Sequence, residues 1–206
     1  MTAADYAKAR RVLARRDPVI RDLMRRYGEC GLAKAQRADP FRALLHAIIA
    51  QQLSTKAAAT IEARFAALFD GRPTAAAIAA VPDERLRAVG LSAAKLAYIR
   101  DLCARTLDGS VVLDALEAMP DDEVVAALTS VKGIGRWTAE MFLMFRLHRP
   151  DVLPVGDLGI RNAIKAEYGL NELPTAAEME ELAEPWRPHR TLACLYLWES
   201  ISATPA

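Results

Sequence analysis

"VKGIGRWTAEMFLMF", residues 131–145, places two glycines between two helical patterns. A glycine in a helix interior costs about 1 kcal/mol relative to alanine, so Gly133 and Gly135 predict a turn. The apolar pattern resumes directly after them and predicts a second helix from residue 136. A very short hairpin between two helices is therefore expected, with residues 131–135 at its tip.

The predicted hairpin has the features of an anion site. Glycines allow a ligand to approach the backbone closely. The first N–H groups of the following helix have no intrahelical acceptors and lie at the positive end of the helix dipole, which suits a phosphate. Lys132 and Arg136 would add positive charge beside them. On the two glycines alone, however, a purely structural turn with a C-cap glycine is the better explanation.

Helical patterns cover most of the chain, and no stretch has the pattern of a sheet. Ser54 and Ser92 are predicted N-caps, while prolines such as Pro73 and Pro120 mark breaks between helices. An all-α fold of about ten short helices is expected. The clearest helical patterns cover residues 40–52, 54–69, 92–107, 121–130, 136–147, 157–168 and 187–202.

The composition is that of a globular chain with one domain or two small ones. Of the 206 residues, 52% are hydrophobic and 26% are charged. No stretch reaches the ~18 consecutive apolar residues of a membrane span. The charged N-terminus lacks the apolar segment of a signal peptide, so a cytoplasmic location is expected. The net charge of +1 restricts any nucleic-acid surface to a local patch.

The cysteines and histidines are too scattered for a disulfide framework or a metal cluster. Cys30, Cys103 and Cys194 form no C-x-x-C pair and are expected to be small buried side chains. The three histidines are equally far apart, which disfavours zinc.

A second motif, "HRPDVLPVGDLGIRNAI", covers residues 148–164. It predicts a proline- and glycine-containing loop that ends with Asp157 at the N-terminus of a helix. Taken alone, Asp157 is explained as an N-cap whose carboxylate accepts backbone N–H bonds.

Together, these motifs resemble one family. The G-I-G core with a downstream T-A resembles the helix-hairpin-helix motif of DNA-binding proteins. An aspartate twenty residues beyond Trp137, in a Gly/Pro loop, makes the chain similar to the helix-hairpin-helix base-excision DNA glycosylases. The alkylbase branch, 3-methyladenine DNA glycosylase II, is the most similar. Its segments are matched in order, from about residue 40 to 200, by "LLHAIIAQQLSTKAA", "GLSAAKLAYIRDL", "GIGRWTAEMFLMF", "LPVGDLGIRNAI" and "WRPHRTLACLYLWE".

The resemblance implies a fold of two helical lobes with the active site in the cleft between them. Residues 37–154 would form the lobe that carries the hairpin. Residues 1–36 and 155–206 would form the other lobe. A compact form without the N-terminal β-domain of some relatives is expected.

The resemblance also implies an activity. Such enzymes extrude a nucleotide from the duplex and cut its glycosidic bond outside the base stack. Asp157 would stabilise the oxocarbenium-like transition state and orient or deprotonate the attacking water. Trp137 occupies the position that holds a Schiff-base lysine in the bifunctional members. A monofunctional hydrolase that releases alkylated purines of the 3-methyladenine and 7-methylguanine type, and leaves an abasic site, is therefore expected.

Roles for further residues follow from the resemblance. A wedge that fills the space left by the flipped nucleotide is expected at Gln52, with Leu53 as the alternative. Trp186 is expected in the core. The apolar face of the hairpin is expected to pack mostly into the core, and it consists of Ile134, Trp137, Met141, Phe142 and Phe145. The implied base pocket consists of Trp137, Met141, Leu158 and Trp198. The implied phosphate-binding residues are Lys132, Gly133, Ile134, Gly135, Arg136 and Thr138.

The implied partner is double-stranded DNA with alkylated bases, bound by a monomer that does not associate with a membrane. The protein would be nucleoid-associated when bound to DNA. No cofactor is required, and the missing four-cysteine cluster separates the chain from the iron–sulfur branch. A structural Na+ or K+ on the hairpin carbonyls of Val131 and Gly133 is left open. Two other functions also stay open, a non-catalytic helix-hairpin-helix DNA-binding module and a glycosylase for mismatched or oxidised bases.

Overall fold

The computed structural model describes residues 3–29 and 39–202, and in these ranges it is all-helical, without a strand. The predicted all-α class is confirmed. Within the described ranges, two short 3-10 helices cover Leu113–Ala115 and Glu184–Trp186. The α-helices in the described ranges are α1 (Ala3–Arg16), α2 (Pro18–Tyr27), α3 (Pro40–Ala50), α4 (Thr55–Ala67), α5 (Ala75–Ala79), α6 (Asp83–Ala88), α7 (Ala93–Leu107), α8 (Asp121–Thr129), α9 (Arg136–Phe145), α10 (Leu158–Glu167), α11 (Ala176–Leu182) and α12 (Arg190–Ser202).

Local sequence signals explain where several helices begin. The hydroxyl of Ser54 accepts from the N–H of Ala57 at 3.3 Å, and that of Ser92 accepts from Lys95 N–H at 3.2 Å. Both predicted N-caps are confirmed. The last predicted helix begins at Arg190 rather than residue 187, because a 3-10 helix precedes it.

One compact unit contains residues 39–142, that is, α3 to α8 and most of α9. Its central element is α7, which packs against α3, α5 and α6. Ile99 and Leu102 on α7 have no exposed surface. This buried helix is therefore the support on which the surrounding shorter helices are placed.

The other unit contains residues 3–29 and 143–202, and α12 is its central element. Every residue from Thr191 to Leu197 is buried, and α12 packs against α1, α2 and α10. The buried Asp17 joins three segments of this unit. Its Oδ1 caps α2, and its Oδ2 accepts from the Tyr168 hydroxyl at 2.6 Å and from Trp186 Nε1 at 2.7 Å.

The division between the units differs from the predicted one at its second boundary. That boundary was predicted after residue 154, and it lies after Phe142, within α9. Residues 149–152 are hydrogen-bonded to the start of α12, where the hydroxyl of Thr191 donates to Arg149 O at 2.7 Å and accepts from Val152 N at 3.1 Å. The first predicted boundary, at residues 36–37, lies outside the described residues.

Cys103 and Cys194 are buried, as predicted, while Cys30 lies outside the described residues. Burial raises the pKa of Cys103 to about 11. In the part of the chain that the structure describes, no helix has both the length and the apolar character needed to cross a bilayer.

Candidate functional site

The hairpin connects α8 to α9 and requires glycine at one of its two glycine positions. Gly133 has φ +79°, a left-handed conformation, and a Cβ placed there would lie 2.2 Å from the ring of Tyr98. A Cβ on Gly135 would meet no atom within 4 Å. Gly133 is therefore required by the fold, whereas Gly135 leaves open space beside the first turn of α9.

Asp101 on α7 holds the hairpin tip in place. Its Oδ2 accepts from the backbone N–H of Lys132 and from Arg105 Nε, both at 2.9 Å. Burial alone would raise the pKa of Asp101, but these hydrogen bonds outweigh it and hold the pKa below its usual value. Asp101 thus stays charged and fixes the backbone of the tip.

The hairpin surface carries two cationic side chains. The side chains of Lys132 and Arg136 are 71% and 74% exposed. Arg136 Nε also donates to the buried Glu140 at 2.9 Å, which holds the guanidinium beside the first turn of α9. The N–H groups of that turn lack intrahelical acceptors, so backbone and side-chain positive charge coincide here.

The six predicted phosphate-binding residues do not all lie on the surface. Lys132, Gly133, Gly135 and Arg136 are exposed. Ile134 and Thr138 are buried, and the N–H of Ile134 donates to Val131 O at 3.1 Å within the turn. The side chains of Ile134 and Thr138 therefore contribute to packing. The sequence did not predict this, because spacing alone does not separate the two faces of so short a turn.

The hairpin carbonyls named for a monovalent ion already have hydrogen-bond donors. Val131 O accepts from Ile134 N, and Gly133 O accepts from Gln51 Nε2 at 2.8 Å. Each of these oxygens thus accepts one hydrogen bond, and the monovalent ion stays a prediction.

The predicted wedge residues lie in the exposed turn between α3 and α4. Gln52 has φ +56°, a left-handed conformation that is uncommon for a residue with a side chain. Leu53 is 37% exposed, and its N–H donates to Ala50 O at 3.2 Å. Both side chains are placed on the surface, so either could meet DNA.

Three large side chains recur every fourth residue along α9. Trp137 and Phe145 are 50% and 42% exposed, and Met141 between them is partly exposed. Residues at this spacing share one helix face. Of the apolar face predicted to pack mostly into the core, Ile134 and Phe142 are buried, whereas Trp137 and Phe145 are exposed.

Asp157 caps α10, as the loop motif predicts. Its Oδ1 accepts from the N–H of Ile160 at 2.8 Å and from Trp198 Nε1 at 3.1 Å. Asp157 is buried, although its neighbours Gly156 and Leu158 are exposed. Two donors and the N-terminus of α10 thus stabilise the carboxylate charge close to the protein surface.

Trp198 is held between Asp157 and an aromatic neighbour. Its ring stacks on Phe145, with the centroids 5.9 Å apart and an angle of 28° between the planes. Gly159 makes room for this arrangement, since a Cβ there would lie 3.0 Å from Asp157 Oδ1 and 3.2 Å from Trp198 Nε1. The structure thus brings Asp157 and Trp198 together, with the exposed Leu158 next to Asp157 in the chain. It adds Phe145 and Gly159, for which the sequence predicted no role at the site.

The loop before Asp157 is anchored by an ion pair. Arg190 donates from Nε to Asp151 Oδ1 at 2.8 Å and from Nη2 to the backbone oxygen of Asp151 at 2.8 Å. Arg190 is the first residue of α12, the helix that carries Trp198. The pair therefore fixes the loop of Asp157 to the helix of its indole partner.

Comparison with known proteins identifies the family. The family model described as "HhH-GPD superfamily base excision DNA repair protein" matches residues 45–188. The chain belongs to this superfamily. The resemblance of its hairpin and aspartate motifs to the helix-hairpin-helix glycosylases is therefore confirmed.

The relatives in this superfamily include alkylbase enzymes. DNA-3-methyladenine glycosylase 1 of Schizosaccharomyces pombe is 36% identical over 168 residues, covering 80% of this chain and 74% of the relative. The alkylbase DNA glycosidase-like protein mag2 of the same organism is 31% identical over 200 residues, covering 95% and 94%. The structure of S. pombe 3-methyladenine DNA glycosylase (Mag1) in complex with abasic DNA superposes with a TM-score of 0.83 at 33% identity, covering 96% of this chain and 98% of that one.

Proposed function

We propose that this HhH-GPD protein is a monofunctional DNA glycosylase that removes alkylated purines from double-stranded DNA. It would hydrolyse the N-glycosidic bond and leave an abasic site, as a step of base excision repair. The relatives named as 3-methyladenine glycosylases support the substrate class. The observation that carries the proposal is the anchored carboxylate of Asp157 beside Trp198.

The position of Asp157 suits the transition state of glycosidic bond cleavage. As the bond breaks, positive charge develops on the sugar, and a fixed carboxylate stabilises that charge without reorganising. The bonds from Ile160 N–H and Trp198 Nε1 hold Oδ1 in place before the substrate arrives. The same carboxylate can orient the attacking water or accept its proton.

The leaving group explains why a single carboxylate is sufficient. A purine alkylated at N3 or N7 carries a positive charge and departs as a neutral base, so protonation by a general acid is not needed. The exposed ring of Trp137 and the partly exposed ring of Trp198 each suit such a base, because an indole face attracts cations. Trp137 and Trp198 are the proposed stacking partners.

Trp137 also limits the reaction to hydrolysis. It stands where the bifunctional enzymes that the motif resembles hold a lysine. An indole cannot form a Schiff base with the sugar, so the covalent lyase route is closed at this position.

The hairpin provides sequence-independent binding to the duplex. Phosphate contacts fix the orientation of a protein on DNA without reading bases. The exposed Lys132, Arg136 and first-turn N–H groups of α9 are the proposed contacts.

The decisive experiment uses duplexes that each carry one defined lesion. Each duplex is incubated with the protein, and abasic sites are then cleaved with alkali. Cleavage at methylated purines, but not at 8-oxoguanine or at mismatched bases, is expected. Binding of all duplexes without any strand cleavage after alkali would instead support a non-catalytic DNA-binding module.

A further inference from the structure

A side-chain hydrogen bond joins the α3–α4 turn to the hairpin. Gln51 Nε2 donates to Gly133 O at 2.8 Å, although the two residues are 82 positions apart. Gln51 is the first residue after α3 and is partly buried. The turn that exposes Gln52 and Leu53 is thus bonded to the glycine at the hairpin tip.

Helix α7 supports both ends of this connection. Lys95 Nζ donates to Ile49 O, in the last turn of α3, at 2.7 Å. Tyr98 lies against Gly133, and Asp101 accepts from the N–H of Lys132. Since the three α7 residues follow one another at intervals of three, they lie along one side of the helix. One rigid element therefore holds the end of α3 and the hairpin together.

The backbone of the turn is strained at the residue next to Gln51. Gln52 is exposed and left-handed, a conformation that persists in residues with side chains only where neighbouring contacts enforce it. Gln51 is bonded to the hairpin on one side, and Leu53 N–H is bonded to Ala50 O on the other. These two contacts hold Gln52 and Leu53 on the surface at a set distance from Gly133.

We propose that Gln51 is a positioning residue for the displacement of a nucleotide from the duplex. It fixes the α3–α4 turn to the phosphate-binding hairpin, so that Gln52 and Leu53 meet the base stack while the hairpin holds the backbone. This role rests on the proposed glycosylase function. Gln51 acts through the turn and does not itself contact the reacting atoms.

Two substitutions remove the bond in different ways. Gln51→Met keeps the length of the side chain and removes the donor, whereas Gln51→Asn keeps the amide and is one methylene too short. The matched control is Asn171→Met, which replaces an exposed amide in the other unit. Melting temperatures verify that each variant is folded. If Gln51→Met does not fold, Gln51→Asn provides the test.

The readout separates displacement from binding. A duplex with 2-aminopurine next to a methylated purine reports unstacking as a rise in fluorescence. Both Gln51 variants should bind undamaged duplex within about twofold of wild type, because the phosphate contacts remain. Their fluorescence rise should be smaller, and single-turnover base release should fall about tenfold, as expected for a misplaced positioning group.

Two results would overturn the proposal. One is wild-type fluorescence and base release in both Gln51 variants. The other is a loss of binding to undamaged duplex as large as the loss of base release, which would show that Gln51 only supports the hairpin. If the wild-type protein raised the fluorescence but released no base, the proposed function would fail, and the fluorescence of the variants would still decide the role of Gln51.

Discussion

Trp198 donates its indole N–H to Asp157 at the N-terminus of α10, with 3.1 Å between Nε1 and Oδ1. Trp186 makes the corresponding bond to Asp17 at the N-terminus of α2, with 2.7 Å between Nε1 and Oδ2. The same unit therefore contains two N-cap aspartates that each accept a hydrogen bond from a tryptophan.

The two pairs differ in their surroundings. Trp186 has no exposed surface, as predicted for a core residue, and Asp17 accepts a further bond from the hydroxyl of the partly buried Tyr168. Burial, followed by the bond to Asp17, raises the pKa of Tyr168 far above its usual value. Trp198 is partly exposed beside the exposed Phe145. The first pair holds helices together, while the second lies where a base could be stacked.

Replacing Trp198 with phenylalanine tests the second pair. The ring remains to stack on Phe145, but the donor to Asp157 is lost. Folding stability should fall by about 1–2 kcal/mol, and base release should slow about tenfold because the carboxylate is no longer held. Trp186→Phe is the matched control, since it removes the same donor from Asp17. It should lower the melting temperature without slowing release by the folded protein.

Asp157→Asn should abolish base release and leave duplex binding largely intact. The amide oxygen can still accept from Ile160 N–H and from Trp198, so the N-cap geometry persists without the charge. Loss of one preorganised electrostatic group costs about a hundredfold or more in rate. Single-turnover excision and a binding titration on the same methylated duplex measure the two properties. Near-normal excision by the variant would contradict the catalytic role.

The features that the sequence predicted well are those with a local cause. Ser54, Ser92 and Asp157 begin helices because a short polar side chain accepts an N–H three residues ahead. The glycine hairpin follows from the left-handed backbone that Gly133 needs. Such signals act within one turn of helix, so periodicity and capping chemistry are enough to identify them.

The features that were missed depend on packing between distant segments. Helical periodicity placed Phe142 and Phe145 on one apolar face, but only the fold determines that Phe142 is covered and that Phe145 stacks on Trp198. The bond from Gln51 to Gly133 joins residues that have no local relationship. The clearance that Gly159 provides is visible only once its neighbours are in place.

The two hairpin glycines should respond differently to alanine. Gly133→Ala adds a Cβ to a left-handed residue against Tyr98, so it should cost at least about 1–2 kcal/mol of stability. Gly135→Ala meets no protein atom and should change stability by less than about 0.5 kcal/mol. Its methyl group would instead hinder the approach of a phosphate, and affinity for duplex DNA should fall. Thermal unfolding and DNA titration of both variants provide the test. Wild-type affinity in Gly135→Ala would argue against a phosphate at this turn.

Removal of the charge on Lys132 should flatten the salt dependence of DNA binding. If its ammonium group neutralises one phosphate, the slope of log affinity against log salt should become less steep by about one unit in Lys132→Met. Arg85→Met is the control, because Arg85 is also exposed but lies on α6 and not on the hairpin. Helix α6 packs against α7, where Arg100 donates to Asp83. Titrations at several salt concentrations measure both slopes. An unchanged slope in the Lys132 variant would mean that this hairpin is not the phosphate contact.

The protein should release methylated purines without forming a covalent intermediate. Bases such as 3-methyladenine and 7-methylguanine have weakened glycosidic bonds, so the anchored carboxylate of Asp157 is sufficient to break them. Trp137 offers no amine to the sugar, and borohydride should therefore trap no enzyme–DNA adduct. The measurement combines borohydride trapping on a lesion-containing duplex with quantification of free base in the same sample. A trapped adduct in high yield, or release of 8-oxoguanine in preference to methylated purines, would assign the chain to a different branch of its superfamily.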